Sequence, residues 1–218
     1  DDAVGKLIDA TAYEDEVLSE LAKKTNTSEK PNFVSLSSYT NTKTQISKNK
    51  IAVVYAIGSI ESGQGDDQTI GSDRIAKAIK DARLNDDIKA IVLRVNSPGG
   101  SALASDVMWR EVTLAKKQKP VIVSMGDLAA SGGYYISCAA DYIFAQPNTI
   151  TGSIGVFGMM PNFQKIVEEK LFIHIDYVNT NKYSDLGSLF RPVSKPEYDF
   201  IQGSIEKVYD VFTSRVAE

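Results

Sequence analysis

Three short β-rich runs, spaced by amphipathic stretches, constrain this 218-residue chain most. They are IAVVYAIGSI (51–60), IKAIVLRVNS (88–97) and KPVIVSMGD (119–127). The first is near-continuous in apolar residues, the pattern of a parallel strand buried on both faces. Between the runs lie SDRIAKAIKDARLNDD, with Ile75, Ile79 and Ala82 on one face, and SALASDVMWREVTLAKKQ. Both read as helices. Ser72 or Asp73 stands near the start of the first and Ser101 caps the second, where a side-chain oxygen satisfies a free helical amide. A helix from Ser131 to Ala140, a fourth strand at YIFAQ (142–146), a helix at NFQKIVEEKL, a strand at FIHIDYV (172–178) and a last helix from Lys195 follow. This β–α–β–α order with short connections predicts an α/β fold with a mainly parallel sheet and flanking helices. Active residues in such folds gather where strands end and helices begin.

Residues 1–49 read differently. A helical pattern over residues 10–23 is followed by the breaker-rich TNTSEKPN, a short alternating run FVSLSSY and the polar TNTKTQISKNK. The compact domain is expected over residues 50–218, with residues 1–49 as a helix and linker. Both termini interrupt helical patterns and read as cut from a longer chain, and the folded domain is expected to be truncated at its C-terminal end.

Composition excludes several classes. The net charge is −4 with no basic stripe, so no nucleic-acid partner is expected. No GxGxxG follows the first strand and no Walker A motif is present, so the usual nucleotide folds are unsupported. There is no Cys/His cluster, and no metal or cofactor is expected. The single cysteine, Cys138, sits in YYISCAA and reads as a buried small residue. The single histidine, His174, lies within the alternating FIHIDYV run and reads as structural rather than as a general base. There is no signal peptide and no apolar run of about 20 residues that could span a membrane.

Three segments carry the chemistry. In VNSPGG (95–100), Asn96, Ser97 and Pro98 lead into Gly99 and Gly100. Glycines allow close backbone approach, and the helix that follows aims free amides at the same region. Two such donors can hold an oxyanion, or the segment is a tight turn without chemistry. In the second segment, small neighbours, Ala129, Ala130, Gly132 and Gly133, surround Ser131. Ser131 is either a nucleophile or a helix cap. The third element is a base, because a serine hydroxyl is a weak nucleophile near neutral pH. A lysine can serve if burial lowers its pKa. Lys182, in NTNKYSD, is a candidate base or an ordinary solvated loop lysine. Ser153, in TGSIG, orients an amine, lines the pocket or shapes the turn.

NSPGG, AASGGYYIS and PNTITGSIGVFG, in this order, resemble the signal peptide peptidase A family of S49 serine proteases. The resemblance covers residues 50–218 and implies a ClpP/crotonase-like fold and a Ser-Lys dyad. It implies Ser131 as nucleophile, the Gly100 amide with Gly132 in an oxyanion hole reached by the Gly99 turn, and Ser153 as support for the catalytic lysine. Short members carry serine and lysine on one chain. Long members contain two copies of the fold, with the serine in the second and the lysine in the first. GKLIDATAYEDEVLSELAKKT resembles the tail of a first repeat, so the chain resembles the C-terminal repeat of a long member. Lys182 is then either the base in cis or is replaced by a lysine of the missing first repeat; the second reading is preferred. The resemblance further implies signal-peptide remnants or other short apolar peptides as substrates, with Ala102, Ala129 and Ala130 leaving room for them. It also implies a homo-oligomer and a parent anchored in the inner membrane of the bacterial envelope, its catalytic domain on the periplasmic side. The competing readings are a crotonase-like acyl-CoA enzyme and a non-catalytic assembly repeat.

Overall fold

The computed structural model describes residues 12–27, 33–35, 39 and 48–218. The chain divides into two units, residues 1–47 and 48–218. In the first, helix α1 (Glu14–Lys24) has acidic residues in its first turn and Lys23 and Lys24 in its last, matching the helix dipole at both ends. Of the expected strand FVSLSSY, residues 33–35 form no strand and residues 36–38 lie outside the described residues.

The second unit contains, in order, β1 (Lys50–Ile57), β2 (Ser59–Glu61), β3 (Thr69–Gly71), α2 (Ser72–Leu84), β4 (Ile88–Ser97), α3 (Ala102–Lys116), β5 (Val121–Ala130), α4 (Gly132–Ser137), β6 (Tyr142–Phe144), β7 (Ile150–Gly152), α5 (Gln164–Lys170) and α6 (Lys195–Ala217). The main sheet runs β1-β4-β5-β6, and β7 also pairs with β5. Every pairing is parallel. β6 takes the early part of β5, at residues 122–124, and β7 takes the late part, at residues 128–130. β2 and β3 form a separate parallel pair.

The core lies on one side of the sheet. Val54 and Ala56 of β1, Ile91, Leu93 and Val95 of β4, and Val121, Val123 and Met125 of β5 pack with the buried stripes of α2 and α3. Those stripes are Ile75, Ile79 and Ala82, and Met108, Val112 and Ala115. The spacing of three and four residues follows from the helical period. Ile136 of α4 closes the same cluster, which anchors the short helix beneath the C-terminal ends of the strands.

Several local expectations change. The run 51–60 is two strands, broken at Gly58 with φ +103°. A Cβ there would lie 1.9 Å from the Gln68 carbonyl oxygen, so the break requires glycine. β1 is covered on one face only: Ile51, Val53, Tyr55 and Ile57 remain exposed. An edge strand with helices on one side gains burial at alternate residues, which the apolar run concealed. The loop after β2 contains β3; Gly71 holds the cap position of α2, with Ser72 as the first helical residue. The Ser72 hydroxyl instead accepts from the Gly63 amide at 3.2 Å.

Ser101 does cap α3, accepting from the Ala104 amide at 3.3 Å. The helix expected over 131–140 is shorter, Gly132–Ser137. FIHIDYV forms no strand, and His174 is exposed rather than structural. Among the described residues no strand pairs with it; Ile173 donates to the Val167 carbonyl at 3.1 Å, behind α5. Cys138 is half-buried, and its thiol, pushed up to about 11 mainly by burial, donates to the Tyr135 carbonyl. Among the described residues no helix is long and apolar enough to cross a membrane.

Candidate active site

The site forms where β4, β5 and β7 end. Between β4 and β5 the register shifts: Val95 pairs with Met125, but Ser97 pairs with Ala129. β5 therefore carries two additional residues at this point. Asn96 fills the irregularity. Its Oδ1 accepts from the Leu128 amide at 3.0 Å, and its side chain occupies the space a Cβ at Gly126 would need. The bulge redirects the end of β5 so that Ala129, Ala130 and Ser131 rise beside the NSPGG turn.

Ser131 occupies the junction of β5 and α4 with φ +51° and ψ −118°. Positive φ is uncommon for a residue with a Cβ and costs on the order of 1–3 kcal/mol, so the surrounding packing must impose it. Ser131 stands at the cap position of α4, yet its side chain makes no capping hydrogen bond. The cap reading of this serine is thereby removed. A hydroxyl held on a strained strand-to-helix turn, and not spent on the helix, has the geometry of a nucleophile elbow.

The glycines face that hydroxyl. Gly99 has φ +99°, and a Cβ on it would lie 2.6 Å from the Gly132 amide nitrogen and 2.8 Å from the Ser131 Cβ. The two turns touch through backbone, and side chains would separate them. Gly100 bridges Ile60 of β2. That bridge uses the Gly99 carbonyl and the Ser101 amide, each bonded to Ile60 at 2.9 Å, and leaves the Gly100 amide outside the ladder. Gly132 is the first residue of α4, so its amide has no partner within the helix. A Cβ on Gly132 would sit 3.3 Å from the Gly100 nitrogen, which places the two free amides at one spot.

A cleft of about 560 Å³ opens there, lined by Gly99, Gly100, Ser131, Gly132 and Ser153 together with Ala102, Ser105, Tyr135, Val208 and Phe212. Five of the candidate catalytic and oxyanion residues thus share one cavity. Ser153 arrives through β7, with φ +50° directly after Gly152 at +85°. Lys182 does not line the cleft. It is exposed in an irregular stretch, with its Nζ 5.3 Å from the centre of the Tyr183 ring. Ala129 and Ala130 are buried behind Ser131 and do not line the cleft, whereas Ala102 does.

Sequence reasoning missed four neighbours. Ser105 is buried against Gly132 and donates to the Ser101 carbonyl at 2.9 Å. Tyr135 follows Ser131 by one helical turn, packs at a tilt against Phe212 of α6 with ring centres 4.9 Å apart, and donates to Asp106 at 2.7 Å. Its hydroxyl is pushed above the usual tyrosine range, by burial first and then by Asp106. The four-residue spacing from Ser131 to Tyr135 was a usable signal; the return of Val208 and Phe212 from α6 had none. Among the described residues no group of three or more His, Cys, Asp or Glu side chains is placed to hold a metal.

The model of peptidase family S49 matches residues 113–218, and the model of Clp protease matches residues 43–151. Protease 4 of Haemophilus influenzae is 48% identical over 171 residues, covering 78% of this chain and 28% of the relative. Protease 4 of Salmonella typhi is 41% identical over 217 residues, covering 98% of this chain and 35% of the relative. The chain belongs to peptidase family S49. This S49 chain has the ClpP-like α/β architecture expected from its motifs: a parallel sheet with flanking helices. It spans about a third of the length of these two relatives. Among solved structures, a membrane-bound stomatin-specific protease in complex with a substrate peptide is 26% identical, with a TM-score of 0.42 over 55% of this chain and 51% of the other.

Proposed function

We propose that this S49 chain supplies the nucleophile and the oxyanion donors of a serine peptidase. The observation that carries the reading is Ser131, whose hydroxyl makes no cap bond on a strained turn beside the Gly100 and Gly132 amides. Ser131 Oγ bonds to the substrate carbonyl carbon while a neutral lysine amine takes its proton. The two amides hold the resulting oxyanion, and each such donor is worth roughly 10²–10³ in rate. Collapse breaks the C–N bond, the lysine returns its proton to the leaving amine, and water releases the acyl group from Ser131.

The base is assigned to a lysine supplied from a first repeat, and Ser153 on the cleft rim orients its amine. Among the described residues no lysine lines the cleft, which favours this assignment over Lys182 in cis. Ala102, Val208 and Phe212 offer apolar contacts, consistent with signal-peptide remnants or other short apolar peptides as substrates. The family resemblance supports reading the parent protein as an anchored homo-oligomer of the bacterial envelope with this domain on the periplasmic side.

Labelling with a serine-directed activity probe, read by intact mass, tests the reading. One adduct on the full-length parent, absent in Ser131→Ala and retained in Lys182→Ala, is the expected result. Loss of the adduct in a folded Lys182→Ala protein would move the base to Lys182. Failure of the folded parent to label would leave an assembly repeat or an acyl-CoA enzyme as the better reading.

A further inference from the structure

The oxyanion turn is held by a hydroxyl that lies outside the cleft. Ser97, the last residue of β4, is fully buried. Its Oγ donates to the Gly58 carbonyl at 2.7 Å and accepts from the Gly99 amide at 3.1 Å. One oxygen therefore joins the β1–β2 break to the Gly99–Gly100 turn. The same residue supports the nucleophile from below: a Cβ on Gly133 would lie 2.8 Å from the Ser97 carbonyl oxygen and 3.2 Å from its Cβ. Gly58 in turn donates to the Asn96 carbonyl at 3.0 Å, so the strand end and the break are tied in both directions.

We infer that Ser97 is a positioning residue for the oxyanion hole, acting through Gly99 to aim the Gly100 amide. This inference rests on the peptidase reading above. The physical argument is one of restraint. Gly99 and Gly100 have φ of +99° and +153°, and glycine backbone is intrinsically permissive, so something else must choose their conformation. The Ile60 bridge fixes the Gly99 carbonyl and the Ser101 amide. Ser97 fixes the remaining handle, the Gly99 amide. Without its hydroxyl, the buried Gly99 amide and Gly58 carbonyl lose a partner together, and the turn relaxes to recover hydrogen bonds.

Ser97→Ala tests this in the full-length parent, with two readouts. Hydrogen exchange of peptides spanning residues 95–101 is expected to quicken, while peptides from α2 and α3 stay protected. For hydrolysis of a peptide substrate, kcat is expected to fall roughly ten- to hundred-fold with KM within about two-fold, because the donor acts on the transition state. The affinity of a peptide aldehyde should fall in step with kcat/KM. Ser97→Cys, close in size and still a weak donor and acceptor, should recover part of the loss, and it serves as the test variant if the alanine protein does not fold. Unchanged exchange over 95–101, or equal losses in kcat and substrate affinity, would overturn the inference. Hydrolysis that persists in Ser131→Ala would sink the peptidase reading instead, and the exchange at 95–101 would still decide whether Ser97 clamps the turn.

Discussion

The Ser131 amide donates to the Gly152 carbonyl at 2.9 Å, extending the β5–β7 ladder one residue beyond its last pair, Ala130 with Gly152. Thr151 strengthens the same edge, its hydroxyl donating to the Ala129 carbonyl at 2.8 Å. The backbone that aims Ser131 thus also delivers Ser153 to the cleft rim. Two hydroxyls 22 residues apart in the chain are positioned by one short parallel pairing.

Ser131→Ala should abolish hydrolysis, by a factor on the order of 10⁶ if Ser131 is the nucleophile. Removing an ordinary serine cap costs about 1 kcal/mol of stability. Because this hydroxyl makes no cap bond, the unfolding midpoint should not move. Urea denaturation beside a peptidase assay separates the two effects, and a fall in stability of the usual cap size would contradict the uncapped geometry.

Gly99→Ala should damage both fold and site. The new Cβ would press on the Gly132 nitrogen and the Ser131 Cβ, at a φ that side chains rarely adopt. A stability loss of about 1–3 kcal/mol is expected from the backbone alone, with loss of probe labelling at Ser131. Labelling at the wild-type rate would show that the two turns need not touch.

Phe212→Ala tests the far wall of the cleft. Phe212 is buried against Tyr135, next to Trp109, over which Arg215 stacks at 3.7 Å. Truncation should cost about 3–5 kcal/mol. It should also raise KM more than it lowers kcat, because Phe212 lines the cleft as an apolar wall and offers no hydrogen-bond donor to the oxyanion. A pure kcat effect would place Phe212 nearer the reacting atoms than the packing does.

Arg191 is expected to shape the acid limb of stability. It bonds to Asp185 at 2.6 Å and to Glu197 at 2.9 Å, joining the 179–194 segment to the start of α6. Arg191, assisted by Ser194, holds the Glu197 carboxyl at about 2, below its ordinary 4.5. Asp185 is also held low, again by Arg191 first. A carboxylate whose pKa is depressed by folding contributes stability above its unfolded pKa and loses it as pH falls toward the folded value. The wild-type melting temperature should therefore drop as pH falls from 4.5 toward 2. Arg191→Met should melt lower at neutral pH and show a flatter acid limb; parallel limbs in both proteins would refute the assignment.

Much of the framework could be read locally. β4 spans residues 88–97 as its pattern indicates, α6 starts at Lys195, and Ser101 caps α3. Gly99, Gly100, Ser131, Gly132 and Ser153 were marked by glycine-bounded turns at strand ends, and they line one cleft. These signals are local because side-chain periodicity, capping and positive φ act within a few residues.

What stayed hidden depends on partners distant in the chain. FIHIDYV has strand alternation, but among the described residues no strand pairs with it, and alternation cannot supply one. The run 51–57 could not reveal that one of its faces lacks a covering layer. Ser97 looks like any turn serine until Gly58, 39 residues earlier, comes within reach of its hydroxyl. Lys182 carries the right functional group, yet its exposed position away from the cleft follows from packing after β7. Local chemistry specified which residues could form strands, turns and a reactive hydroxyl. Long-range packing decided which of them meet, because a hydrogen bond or a cleft wall exists only once both partners are in place.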